Sequence, residues 1–196
     1  MRMNDKYLAV INKIDAANAQ DPNQETANGE PIAKELLYSQ RMTEVLNSFA
    51  PQASEHLQIA ARAQHIERWK SPRSDYPEGR TGYKQWRAEL GLFHAKRTGE
   101  LMLEAGYNEE DISRVKYLVQ KRGLRRDPET QTLEDVICLV FVLYYLDDFA
   151  RKHDEAKLID IIQKTWAKMS DAGHQAALAA TLPDHLATLI KKALSE

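Results

Sequence analysis

Hydrophobic residues recur every three to four positions along most of the chain, which is the spacing of one helix face. The first stretches with this spacing lie at 5–18 and 33–49. A third covers 55–69, where Ser54 is a suitable N-terminal cap and Pro72 follows the end. The pattern therefore predicts three amphipathic helices in the first third of the chain.

Two segments interrupt this pattern. Residues 18–32 are polar and without periodicity, and residues 71–82 contain two prolines and two glycines. Both are predicted to be surface loops. The second also carries Arg73 and Tyr76, and a loop with such side chains is expected to cover a site.

Further helices are predicted in the second half of the chain. They lie at 83–105, 108–123, 133–153, 158–169 and 174–194, the last with a break at Pro183. The longest apolar run, VICLVFVLYYL at 136–146, is shorter than the roughly 20 residues that a membrane-spanning helix needs. It is expected to be a buried central helix. The fold class is therefore predicted to be all-α, as a single compact helical domain over residues 1–196.

Composition agrees with that class. Hydrophobic residues make up 43% of 196 positions, enough for one core, and glycine and proline are sparse. A single cysteine, Cys138, excludes an internal disulfide framework, and the amphipathic N-terminus lacks the features of a signal peptide. A cytoplasmic protein with no membrane partner is expected.

Charge is distributed unevenly along the chain. The net charge is −2, yet residues 62–97 contain nine Lys or Arg against four Asp or Glu. A local excess of positive charge indicates a small anionic ligand. With a sequence pI of about 6.3, one basic segment gives little support for nucleic acid as a partner.

Several side chains in and near the basic segment are candidates for binding that anion. Guanidinium groups give bidentate hydrogen bonds to phosphate oxygens, and aromatic rings can stack on a base. The candidates are Arg68, Arg73, Tyr76, Arg87 and Lys121. The alternative is that the arginines form ordinary ion pairs on a solvated face, with Glu67, Asp75 and Glu89 as partners.

Three other residues are candidate metal ligands, because they come from three predicted helices and each lies beside apolar residues. They are His65, His94 and Asp135. Neutral imidazoles and a carboxylate suit a divalent ion such as Mn, Fe or Zn. Alternatively, each histidine is a core residue bonded to a backbone carbonyl. Asp135 is then a capping residue paired with Thr132, and Glu134 a first-turn charge.

Six blocks spread over nearly the whole chain resemble the bacterial and eukaryotic family known as domain of unknown function 4202. They are IDAANAQDPN, KELLYSQRM, AARAQHIERWKSPRSDYPEGRTGYKQWR, FHA at 93–95, QTLEDVICLVFVLYYL and DIIQKTWAKMS. The resemblance implies membership of that family and brings no established activity with it.

More remotely, the order of His65, LFH, AGYNEEDISRVKYLV and the EDVICL stretch resembles the HD-domain superfamily of helical metal-dependent phosphohydrolases. That resemblance implies that His65, His94 and Asp135 bind metal. The chain departs from the pattern at Ala95, which stands where the aspartate of the His-Asp doublet is expected.

The sequence therefore favours an HD-like helical protein that binds a phosphorylated or nucleotide-like anion, with metal-dependent phosphohydrolysis as its candidate reaction. Two alternatives stay open. One is a catalytically silent, metal-free binding module, and the other is an interaction protein whose basic loop contacts an acidic partner.

Overall fold

Helices form most of the protein in the computed structural model, which describes residues 5–195. Within that part the α-helices are α1 Asp5–Asn18, α2 Lys34–Phe49, α3 Glu55–Arg62, α4 Gly79–Glu104, α5 Glu109–Val119, α6 Pro128–Val140, α7 Leu146–Ala150, α8 Glu155–Trp166, α9 Asp171–Ala179 and α10 Asp184–Ser195. The prediction of an all-α fold is confirmed.

A small β-hairpin occupies most of the second half of the segment predicted to be a surface loop, residues 18–32. Strand β1, Gln24–Ala27, pairs antiparallel with β2, Glu30–Ala33. The two residues between them, Asn28 and Gly29, both have positive φ, at 53° and 82°. Asn-Gly is a preferred pair for such a two-residue turn. The loop prediction for 18–32 is therefore wrong over the hairpin, which lies directly before α2.

The cap predicted for α3 is confirmed, and α5 has a cap of the same kind. The Ser54 side chain accepts a hydrogen bond from the backbone N–H of Leu57, and Asn108 accepts one from Asp111. However, α3 ends at Arg62, seven residues before the predicted end. Turns and two short 3₁₀ helices, Arg68–Lys70 and Arg73–Asp75, continue the chain to α4.

The predicted central helix at 133–153 begins earlier and is divided. Asp127 caps α6, with Pro128 in the first turn. After Val140 the backbone forms one turn of π-helix, Phe141–Tyr145, before α7 begins. π-Helical turns occur frequently at functional sites. Here the turn contributes Phe141 and Tyr145 to the wall of a cavity.

Two hydrophobic clusters stabilise the fold. The main cluster draws buried side chains from α1 to α6 and α9, with Ile14, Met42 and Leu133 among its fully buried members. The second joins the π-helical turn and α7 to α8 and α10, and Trp166 packs against both clusters. Within residues 5–195 no helix is both long enough and apolar enough to cross a bilayer.

Candidate functional site

A cavity of about 590 Å³ lies between the beginning of α2, residues 65–73 and α4 on the one hand and α6, the π-helical turn and α8 on the other. Lys121, which follows α5, also borders it. This volume lies within the usual range for sites that bind small molecules. Cationic side chains on its wall are Lys34, Arg68, Arg73, Arg87, Lys121 and Lys168, and the carboxylates are Glu35 and Glu134. Aromatic side chains on the wall are Tyr38, Trp69, Trp86, Phe141 and Tyr145. The wall therefore combines an excess of positive charge with aromatic surface.

The structure brings four of the five predicted anion-binding residues to this cavity: Arg68, Arg73, Arg87 and Lys121. The fifth, Tyr76, does not border it. The Tyr76 hydroxyl instead donates a hydrogen bond to Glu89 Oε2 at 2.7 Å. For Tyr76 the predicted contact with the ligand is therefore not supported by its position.

The three arginines form no ion pair with any carboxylate in the described part of the chain. Two of the carboxylates considered as their partners are bound elsewhere: Glu67 contacts Lys70 and Arg97, and Glu89 accepts hydrogen bonds from Tyr76 and Gln85. Ordinary pairing with Glu67, Asp75 or Glu89 is therefore not what the structure shows.

Arg68 and Arg87 are close enough for their charges to affect each other. Burial lowers the pKa of Arg68, and the positive charge of Arg87 lowers it further against the opposing effect of Glu35. The Arg68 guanidinium also lies over the Trp86 ring, 5.3 Å from its centroid. Both guanidinium groups are half-buried. Two positive charges are thus held beside each other at a partly desolvated wall.

His65 lies at the same wall and is neutral at physiological pH. Its ring stacks on Tyr38, with centroids 3.8 Å apart, and Arg68 Nη1 is 3.1 Å from its Nε2. Burial holds the pKa of His65 well below its ordinary value, and Arg68 and His94 lower it further. A neutral imidazole leaves a ring nitrogen able to accept a hydrogen bond.

Glu35 is a site residue that the sequence analysis missed. It lies in the first turn of α2, where Asp21 accepts a hydrogen bond from its backbone N–H. Its Oε2 lies 3.3 Å from His65 Nδ1. Burial raises the pKa of Glu35 to about 7, although Arg68 and Lys34 oppose the shift. An acidic residue in the first turn of a helix is common, so its sequence position gave no signal.

His94 is buried next to His65, with ring centroids 6.2 Å apart. Its Nδ1 donates to the backbone carbonyl of Ile66 at 2.7 Å, and its Nε2 is buried with no partner among the described residues. Burial lowers the pKa of His94 to about 3. The hydrogen bond at Nδ1 agrees with the alternative that His94 is a core residue bonded to a backbone carbonyl.

The structure does not bring Asp135 to the two histidines. Its carboxylate accepts hydrogen bonds from the Ser170 backbone N–H at 2.8 Å and the Ser170 hydroxyl at 2.6 Å. Gln131 donates a third at 3.2 Å. In residues 5–195 no group of three or more His, Cys, Asp and Glu side chains is placed to hold a metal ion. Asp135 therefore anchors the start of α9, and the binding of a metal ion by His65, His94 and Asp135 stays a prediction.

Glu134, one position earlier on α6, borders the cavity and forms an ion pair with Lys121 at 3.1 Å. Lys121 has a positive φ of 55° directly after α5. Two backbone hydrogen bonds end the helix here. The Lys121 N–H donates to the Leu118 carbonyl, and the Arg122 N–H donates to the Tyr117 carbonyl. Glycine usually occupies the left-handed position in this helix ending. Here the position is occupied by Lys121, whose side chain borders the cavity.

Residues 71–73 border the cavity and are fixed to α4. The Trp86 indole N–H donates to the Ser71 carbonyl at 2.9 Å, and Arg73 Nη1 donates to the Tyr76 carbonyl at 2.9 Å. The remainder of the predicted 71–82 loop is a short 3₁₀ helix, a bend and the first turn of α4. This arrangement holds the Arg73 guanidinium at the wall.

Replacing Gly82 with alanine is expected to displace this segment. A Cβ atom at position 82 would overlap the carbonyl oxygen of Pro77 and lie 2.7 Å from its carbonyl carbon. Because that neighbour is backbone, relief requires a shift of the segment or of the first turn of α4. Such strain costs about 1–3 kcal/mol. Urea denaturation should show the loss, and anion binding should weaken because Arg73 moves.

Gly91→Ala on the same helix is the matched control. A Cβ atom at position 91 has no atom within 4 Å, so the variant should gain about 0.5–1 kcal/mol from helix propensity alone. Equal gains for the two substitutions would contradict the close approach of Pro77.

The fold and cavity define an all-α protein with a cationic, partly aromatic cavity. The chain belongs to the family described as Domain of unknown function (DUF4202), whose model matches residues 8–190. No curated protein and no solved structure matches the chain. The expected membership of this family is confirmed, and the remote HD-domain resemblance stays a prediction.

Proposed function

We propose that the cavity binds a phosphorylated or nucleotide-like anion. The observation that carries the proposal is that Arg68, Arg73 and Arg87 all border one cavity, while none of them forms an ion pair with a carboxylate in the described part of the chain. The other half-buried arginines of residues 5–195 do form ion pairs, for example Arg62 with Asp15, Arg97 with Glu67 and Arg114 with Asp127. An anion bound beside Arg68 and Arg87 would offset the repulsion between these two guanidinium groups.

The composition of the wall supports a phosphate group as that anion. Guanidinium forms short, bidentate, charge-assisted hydrogen bonds with phosphate oxygens, and several donors can share one tetrahedral group. Lys121 adds an ammonium group to the lining of the cavity. Trp69, Tyr145 and Phe141 offer aromatic surface to a ring carried by the same ligand.

A small ligand is favoured over an acidic macromolecule. Arg68, Arg73 and Arg87 are half-buried at a cavity and do not form an exposed basic face. The proposal is one of binding, because the observations that support it are cationic and aromatic side chains around the cavity.

Calorimetric titration with inorganic phosphate and with AMP tests the proposal. Replacing Arg87 or Arg73 with alanine should weaken binding by about tenfold or more, because each loses a charge-assisted hydrogen bond. Affinity should also fall as salt increases. Arg126→Ala removes the same charge from an exposed arginine outside the cavity and should change little. No binding by the unaltered protein, or equal losses in all three variants, would overturn the proposal.

A further inference from the structure

Glu134 is a buried carboxylate whose hydrogen-bonding capacity is not met by the described residues. Its exposed fraction is 2%, and it lies on the cavity wall. Oε2 lies 3.1 Å from Lys121 Nζ, but the approach does not have the geometry of a hydrogen bond, and no other group of residues 5–195 bonds to this buried atom. Oε1 lies 3.9 Å from Lys168 Nζ, beyond hydrogen-bond distance.

The neighbouring Asp135 is a buried carboxylate that does have hydrogen-bond donors. It is equally buried, yet it accepts hydrogen bonds from the Ser170 backbone, the Ser170 hydroxyl and Gln131. Buried carboxylates without hydrogen bonds are costly and therefore rare. The two lysines balance the charge of Glu134 without supplying the missing donor. A ligand in the cavity can supply it.

The charge of the wall restricts what that donor can be. Six cationic side chains border the cavity, so an ammonium group on the ligand would be repelled. A neutral O–H group can donate to Glu134 without that repulsion. Lys121 contacts Glu134 and also borders the cavity, so it can contact a phosphate beside the hydroxyl group.

We infer that Glu134 selects, among phosphate esters, those that also carry hydroxyl groups close to the phosphate. This inference rests on the proposed function, since it assumes that the arginines bind the phosphate. The cations and the carboxylate of the wall then bind different parts of one ligand. The guanidinium groups bind the phosphate, and the carboxylate accepts a hydrogen bond from the sugar or polyol.

Calorimetric titration with three probes tests this inference. Methyl phosphate has no hydroxyl donor beyond the phosphate, ribose 5-phosphate adds sugar hydroxyls, and AMP adds a base. The unaltered protein should bind ribose 5-phosphate and AMP about tenfold or more tightly than methyl phosphate. In Glu134→Gln that preference should fall by about tenfold, while methyl phosphate binds as well or better because a negative charge has been removed.

Two further variants separate the hydrogen bond from the charge. Glu134→Asp keeps the charge but withdraws the carboxylate, so it should also lose the preference. Glu110→Gln removes an exposed carboxylate of α5 and should leave the preference intact. If methyl phosphate binds but ribose 5-phosphate and AMP bind no better, or if the preference survives in Glu134→Gln, the inference is overturned and the proposed function stands. If none of the probes binds, the proposed function fails first.

Discussion

Glu35→Gln is expected to stabilise the protein above pH 7 by up to about 3 kcal/mol. Burial raises the pKa of Glu35 from 4.5 to about 7 in the folded state. Between these pH values the folded protein retains a proton that the unfolded chain has lost, so stability falls as pH rises through this interval. Glutamine has nearly the same shape as glutamate but does not ionise, so the variant does not lose stability in this pH interval.

Urea denaturation of both proteins below pH 4.5 and above pH 7 measures the effect. The variant should gain stability only at the higher pH, because below pH 4.5 the Glu35 carboxyl is protonated in both states. Glu110→Gln, on the exposed face of α5, is the control for loss of a negative charge. If the variant gained the same stability at both pH values, the gain would come from packing and not from proton binding by Glu35.

Periodicity of apolar residues was sufficient to predict the fold class and most of the helices. It failed where backbone conformation depends on single residues. The prediction for α3 continued to residue 69, although the helix ends at Arg62 and Glu67 has a positive φ of 49°. The hairpin at 24–33 was missed because its strands are short and polar, and the Asn28-Gly29 pair was its one signal.

The cationic part of the cavity was more predictable than its carboxylates. Four predicted cations lie on the wall, since a basic segment with aromatic residues is visible in the sequence itself. Which of two adjacent carboxylates faces the cavity depends on the rotation of a helix. The helix was predicted to begin at 133, whereas α6 begins at Pro128, so neither Glu134 nor Asp135 lies in its first turn. Glu134 borders the cavity and Asp135 contacts Ser170.

Asp135→Ala is expected to lower the free energy of unfolding by about 3 kcal/mol, through the loss of buried hydrogen bonds to a charged group. The Ser170 N–H and hydroxyl would lose their common acceptor, and Ser170 is the residue that caps α9. The surroundings are tightly packed, because a Cβ atom at Gly173 would lie 2.7 Å from Asp135 Oδ1. Urea denaturation measures the loss directly.

A double-mutant cycle with Ser170→Ala shows whether the lost stability belongs to this contact. If Asp135 acts through Ser170, the double variant should be less destabilised than the sum of the single variants by about 1–2 kcal/mol. Asp171→Ala, at a fully exposed carboxylate of the same helix, is the control for charge near the start of α9. The metal-ligand hypothesis predicts a different result. If Asp135 binds a metal ion, Asp135→Ala would cost less than about 1 kcal/mol of stability and would abolish binding of Mn, Fe or Zn ions in a calorimetric titration. The three hydrogen bonds to its carboxylate lead us to expect the first outcome.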